Sequence, residues 1–179
     1  MDLVSILLLA LILATVAAFY FVFASFAWGA GYQPAPRRTV ETMLRLGEVG
    51  PDDRLWDLGA GTGAILFRAA RERGAYAVGV EVEPVRVLIL RLRRRFGRRA
   101  DRIEIRWGNL FEQDLAGATV VTLFLWPEAM ARLKSVLEHR LAPGTRVVSH
   151  WHRMPGWTEV ASDRETRVFL YRVPGRASG

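Results

Sequence analysis

The segment Trp56-Asp57-Leu58-Gly59-Ala60-Gly61-Thr62-Gly63 constrains the fold more than any other part of the chain. A short strand pattern over residues 54–58 runs into alternating glycines and then into a helical pattern over residues 62–73. Glycine at these positions lets the backbone adopt left-handed torsions and lets a ligand approach it closely. The helix that follows offers its first N–H groups to that ligand. Strand, glycine turn and helix in this order make the first half of a βαβ unit.

The rest of the chain keeps the alternation. Residues 39–46 read as an amphipathic helix with Val40, Met43, Leu44 and Leu46 turned inward. Residues 75–82 are apolar and continuous, as a parallel strand covered on both faces would be. Pro84 opens the next helix, where its missing N–H is harmless. Strands are predicted at 103–106, 119–125 and 145–149, with a helix over 128–140 that Pro143-Gly144 breaks. Residues 158–161 and 166–173, around Ser162-Asp163-Arg164-Glu165, read as a terminal antiparallel hairpin. The pattern predicts a three-layer α/β domain with a mostly parallel sheet.

Residues 3–28 carry no charge and are almost wholly apolar. About 26 residues at 1.5 Å each reach roughly 39 Å, beyond the ~30 Å hydrocarbon core of a bilayer. Tyr20, Phe21, Phe23, Phe26, Trp28 and Tyr32 crowd the C-terminal end of the run, and Arg37 and Arg38 follow it. The expectation is one transmembrane helix, residues 1–30 forming anchor and linker start and residues 31–179 the folded domain. The basic residues place that domain on the cytoplasmic side of the cell membrane. A cleaved signal peptide is the competing reading, but no cationic region precedes the apolar run. Gly29-Ala30-Gly31 with Pro34 and Pro36 makes the linker.

Cysteine is absent, which excludes disulfides, thiol nucleophiles and Cys-based zinc sites, and no metal is expected. The net charge is +7, and Lys134 is the single lysine among 25 basic residues. The run Arg91-Leu92-Arg93-Arg94-Arg95-Phe96-Gly97-Arg98-Arg99 reads first as the solvated end of a helix. Contact with anionic lipid headgroups is the second reading. No nucleic-acid partner is expected, since no recognition motif accompanies the charge.

Open α/β sheets bind ligands at strand C-termini, and three features fall there. Asp57 precedes the glycine turn. It would repel a pyrophosphate but suits a ligand with a cationic end, such as the ammonium of S-adenosylmethionine. Glu81 ends the second strand and can accept hydrogen bonds from both hydroxyls of a ribose. Asn109, in Gly108-Asn109-Leu110-Phe111 after the third strand, offers an amide oxygen to an adenine amino group. The expected cofactor-binding set is Asp57, Gly59, Ala60, Gly61, Gly63, Glu81, Asn109 and Leu110.

In this order and spacing the motifs resemble those of class I S-adenosylmethionine-dependent methyltransferases. The resemblance implies a Rossmann-like methyltransferase domain over residues 31–179, with Asn109 standing where that family usually has an Asp. A narrower likeness rests on Tyr32-Gln33-Pro34-Ala35-Pro36, Val80-Glu81-Val82-Glu83-Pro84, Val120-Val121-Thr122-Leu123-Phe124-Leu125 and Arg146-Val147-Val148-Ser149-His150. This set is similar to small archaeal protein-lysine methyltransferases and to the mitochondrial type that acts on the c subunit of ATP synthase. Gln33 and Ala35 replace a Val and a Thr of the family segment. The likeness implies a membrane-anchored enzyme that methylates a protein lysine. Tyr32, His150 and Trp126 are the expected catalytic-pocket residues, and His152 is a further proton-acceptor candidate. The Asn/Asp-Pro-Pro-Tyr signature of nucleobase-amine methyltransferases is missing after the fourth strand, where Phe124-Leu125-Trp126-Pro127 stands. Two alternatives stay open: methylation of a lipid, quinone or other small molecule at the membrane, and a non-catalytic adenosyl-nucleotide-binding protein.

Overall fold

The computed structural model describes residues 2–27 and 35–175, with side chains described over 2–19 and 35–175. It divides into two compact units, Met1–Tyr32 and Gln33–Gly179. The first is the helix α1, Leu3–Ala27. Leu3, Ile6, Leu7, Leu11 and Phe19 along it are exposed. Among the described residues no helix is long and apolar enough to cross a membrane. Among those residues the bilayer span expected over 3–28 is not found, nor is the single-pass, cytoplasm-facing placement that rests on it. The expected linker glycines and Tyr32 lie outside the described residues.

The second unit holds a seven-stranded sheet in the order β3-β2-β1-β4-β5-β7-β6. Its strands are β1 Arg54–Leu58, β2 Tyr76–Glu81, β3 Ile103–Trp107, β4 Val120–Leu123, β5 Arg146–His150, β6 Ala161–Asp163 and β7 Val168–Arg172. The first five are parallel; β7 pairs antiparallel with β5 and with β6. Helices α2 Arg37–Leu46, α3 Ala64–Glu72 and α4 Pro84–Arg95 cover one face, and α5 Pro127–Arg140 covers the other. Alternation along the strands explains both layers. Leu55, Val120 and Val148 join Met43, Leu66, Phe67 and Leu90 on the first face. Trp56, Leu58, Val121 and Val147 join Met130, Leu133 and Leu137 on the second.

Most of the predicted elements are present with ends shifted by one to three residues. The largest departure is the hairpin, where β6 begins at Ala161 rather than ending there. Asp163 sets its turn, its Oδ1 accepting from the Thr166 N–H at 2.9 Å and from the Thr166 hydroxyl at 2.9 Å.

Strand order reverses between β1 and β4, which opens a crevice at their C-terminal ends. Gly63 fixes the entry to α3 there, at φ 86°. A Cβ at Gly63 would lie 2.6 Å from the Phe67 ring and 2.7 Å from Leu90 Cδ2. Gly63→Ala therefore combines left-handed strain with overpacking, roughly 2–4 kcal/mol in all. The expected result is a melting temperature lowered by on the order of 10 °C in a thermal scan.

Candidate cofactor site and an adjoining pocket

Asp57 stands at the crevice, only 3% exposed, in register with Thr122 of the neighbouring strand. The Thr122 hydroxyl donates to its Oδ1 at 2.9 Å. Burial pushes the Asp57 carboxyl up to about 7, against the hydrogen bonds from Thr122 and the Leu66 backbone; the like charge of Glu81 adds to the rise. A carboxylate held in such a place is disfavoured when ionised and is relieved by a cation brought to it.

The glycine turn is tied to β2. The N–H groups of Gly59 and Ala60 donate to the Val80 carbonyl at 3.0 and 2.9 Å. Gly61 N–H donates to Glu81 Oε2 at 2.8 Å, so the acid at the end of β2 grips the turn after β1. The other oxygen, Oε1, accepts the N–H groups of Val82 and Glu83, each at 3.0 Å. A carboxylate has about four lone-pair sites, so Glu81 keeps room for a ribose hydroxyl. Glu83 caps α4, accepting from Val85 N–H at 2.9 Å and Arg86 N–H at 2.8 Å. The buried Arg86 guanidinium lies 3.8 Å from Glu81 and 3.9 Å from Glu83. Glu81→Gln removes charge from both clasps and turns an amide donor toward a backbone N–H. Cofactor affinity measured by calorimetry should fall by about tenfold or more.

The N-cap of α3 is Gly63, which has no side chain to bond the first turn; the Leu66 N–H of that turn bonds the Asp57 carboxyl, so the helix start and Asp57 share one crevice. Asn109 serves its own turn: its Oδ1 accepts from Phe111 N–H at 3.1 Å and its Nδ2 donates to Glu112 at 2.8 Å. The amide oxygen keeps one lone pair for an adenine amino group. Leu110 and Phe111 pack partly against the second core cluster.

Beyond the crevice a pocket of about 340 Å³ lies among Phe124, His150, Trp151, Thr166 and Arg167, with Pro36, Arg38, Thr39 and Glu165 completing its lining. Asp57, Thr122 and His150 alternate onto the same face of three adjacent strands. Two strand spacings and two residues of rise put the Asp57 and His150 backbones roughly 12 Å apart. His150 is buried, and its ring centroid lies 4.3 Å from that of Phe124. Burial holds its imidazole below the usual value, opposed by contacts with the Arg167 and Thr166 backbone. Its Nδ1 lies 3.3 Å from the Arg167 carbonyl. A carbonyl only accepts, so Nδ1 carries the proton and Nε2 is the acceptor of the neutral ring. Trp151 and Arg167 have left-handed backbones, φ 71° and 50°, and Trp151 N–H donates to the Arg167 carbonyl at 2.8 Å. Strained non-glycine residues of this kind gather at functional sites.

Trp126 does not line this pocket. It is 49% exposed, and its ring lies 6.0 Å from His152. Among the described residues no cluster of His, Cys, Asp or Glu could hold a metal ion. Sequence reasoning passes over Thr122, although a lone hydroxyl in an apolar strand is a readable signal. It also passes over Arg86, Trp151 and the Thr166-Arg167 turn, whose backbone geometry leaves no mark in residue type.

The parallel sheet, the glycine turn and a buried acid at the strand-order reversal define an S-adenosylmethionine-dependent methyltransferase. Residues 57–161 match the family described as ANTKMT methyltransferase domain, and the chain belongs to it. It is 41% identical over 127 residues to a protein-lysine N-methyltransferase of Saccharolobus islandicus, covering 70% of this chain and 79% of that one. It is 31% identical over 146 residues to the adenine nucleotide translocase lysine N-methyltransferase of Mus musculus. That match covers 80% of this chain and 63% of the mouse protein. A solved structure described as an RNA methyltransferase from Salinibacter ruber in complex with S-adenosyl-L-homocysteine superposes with a TM-score of 0.78. It is 41% identical, with 81% of this chain and 96% of that one covered.

Proposed function

We propose that this methyltransferase acts on the side-chain amine of a protein lysine. The observation that carries the reading is the pocket walled by Phe124, His150 and Trp151. Its aromatic walls suit the methylene stem of lysine, and its buried, neutral imidazole suits an amine that must lose a proton. The relatives described as protein-lysine and adenine nucleotide translocase lysine N-methyltransferases support the same acceptor.

S-adenosylmethionine supplies an electrophilic methyl on a sulfonium, and the chain's residues supply position, dehydration and proton handling. Asp57 would hold the cationic end of the cofactor, and Glu81, which grips the glycine turn, would hold the ribose. The amine would enter the pocket, where burial lowers its value, and shed its proton by way of His150 Nε2 to solvent. Holding the amine in line with the methyl would be the main task of these residues, since positioning accounts for most of the rate in such a transfer. Asn109 and Leu110 cover the adenine in this reading, and Trp126 with His152 forms an outer wall rather than the reacting centre.

RNA is the second reading, since the Salinibacter ruber structure is described as an RNA methyltransferase. Phe124-Leu125-Trp126-Pro127 at the end of β4 speaks against a nucleobase amine, because the polar residues that hold such an amine in line are missing there. The test is incubation of a whole extract with methyl-labelled cofactor, followed by separation into protein, RNA and lipid. Label in protein, recovered as methyl-lysine after hydrolysis, is expected. Label confined to RNA or to the lipid extract would sink the lysine reading, and binding without turnover on any fraction would leave the non-catalytic alternative.

A further inference from the structure

The outward face of α4 takes no part in the site described above, although its chemistry is strongly patterned. Val85, Leu88, Leu92 and Phe96 follow one another at i, i+3, i+7 and i+11 and so form one stripe along the helix. Leu88 is 57% exposed, Leu92 49% and Phe96 82%, while Arg86, Val87 and Leu90 on the opposite side are buried. Large apolar side chains in a row on the surface mark a contact with something else. The charge beside them is one-sided: residues 91–102 hold seven arginines and one acid, Asp101.

The inner arginines are held by backbone and rings. Arg93 donates to the Thr62 carbonyl and lies 4.6 Å over the Phe67 ring. Arg94 donates to the Ala100 carbonyl at 3.1 Å. None of these contacts neutralises charge. Arg91 and Arg95 border the apolar stripe on the solvent side and are exposed. Among the described residues, none of Arg91, Arg93, Arg94, Arg95, Arg98, Arg99 and Arg102 forms a salt bridge with a carboxylate.

We propose that this face of α4 docks on an anionic bilayer surface, with Leu88, Leu92 and Phe96 entering the headgroup boundary and Arg91 and Arg95 meeting lipid phosphates. Charge complementarity selects an anionic partner, and the aliphatic stripe selects lipid over nucleic acid. Leucines neither stack on bases nor bond phosphates, whereas an amphipathic helix with arginines beside an apolar face suits the interfacial plane. The surface lies on the helix that Glu83 caps next to Glu81, so docking fixes how the cofactor crevice is presented to the bilayer.

The chain lacks cysteine, so Leu92→Cys provides one thiol for a polarity-sensitive fluorophore in the full-length protein. This reporter reads the α4 face alone, whatever other part of the chain meets lipid. Phosphatidylcholine vesicles containing phosphatidylglycerol should shift its emission to the blue, more than pure phosphatidylcholine vesicles do, and added salt should reduce the shift. The same label at Ser162→Cys on β6, at the far edge of the sheet, should not respond. Arg91→Glu with Arg95→Glu should weaken the response roughly 25-fold or more, about fivefold for each basic side chain removed from the surface. An unresponsive label at position 92 would overturn the proposal. So would an equal response at 162, an equal response to neutral vesicles, or a larger response to polyuridylate than to vesicles.

Discussion

Asp57→Asn should make the cofactor-free protein more stable while weakening its hold on S-adenosylmethionine by about 100-fold. Both effects follow from one buried carboxylate whose value is pushed up to about 7 from 3.8. A raised acid favours its protonated form in the folded state. Its contribution to stability is therefore present at low pH and is lost as pH rises from about 4 to about 7. Above that window the ionised side chain burdens the fold by as much as about 4 kcal/mol, at 1.36 kcal/mol for each pH unit the window spans. The Asn variant keeps the shape and an oxygen for its hydrogen bonds but removes the charge. Its melting temperature at pH 8 should exceed that of the parent, by an amount on the order of 10 °C if the whole burden is relieved. The loss in binding arises because the cationic end of the cofactor then meets a neutral amide, and truncating such a pair costs about 2–5 kcal/mol. The parent should bind more tightly as pH rises from 6 to 8 and no more tightly beyond that, since binding needs the carboxylate. Calorimetric titration at three pH values checks both claims. Equal affinity of parent and variant would remove Asp57 from the site.

Much of this arrangement is legible in the sequence because it depends on the chemistry of single residues. Alternating glycines before a helix mark a turn of left-handed torsions, and the structure has Gly59, Gly61 and Gly63 at φ 87°, 56° and 86°. An acid at the end of each of the first two strands is equally plain. What the sequence conceals depends on long-range contact. Glu81 reads as a ligand for ribose, yet it also grips the Gly61 N–H, a bond between residues 20 apart. Asn109 reads as a ligand and proves to cap its own turn, since a short amide bonds the nearest backbone before any partner from outside. The pocket is the least legible part. It joins the start of α2, the end of β5 and the β6–β7 turn, and no local pattern brings Thr39, His150 and Thr166 together. Position alone favours Trp126 as a wall because it closely follows β4, but its ring turns toward His152 instead. The apolar N-terminal run reads as a span on hydropathy alone, and among the described residues no helix is long and apolar enough to cross a membrane.

His150→Phe should lower turnover by about 100-fold at pH 7.4 while leaving cofactor affinity within about twofold. Phenylalanine keeps an aromatic ring against Phe124, whose centroid lies 4.3 Å away, so the pocket wall and its packing survive. Only the ring nitrogens are lost. The substrate amine has an ordinary value near 10.4, so about one molecule in a thousand is unprotonated at pH 7.4. Burial in the pocket lowers the value of the bound amine itself, and a neutral imidazole, held below 6.5 by its own burial, gives the shed proton a way out. The parent should therefore reach its plateau early, once pH passes the lowered value of the bound amine. The variant should gain activity about tenfold per pH unit up to about pH 9.5, as solution chemistry supplies the free amine instead. The gap between the two should narrow steadily over that range. A purely structural role predicts a constant gap, because a misplaced wall harms the amine equally at every pH. A defect that does not shrink between pH 7.4 and 9.5 would strip His150 of proton transfer and leave it as packing.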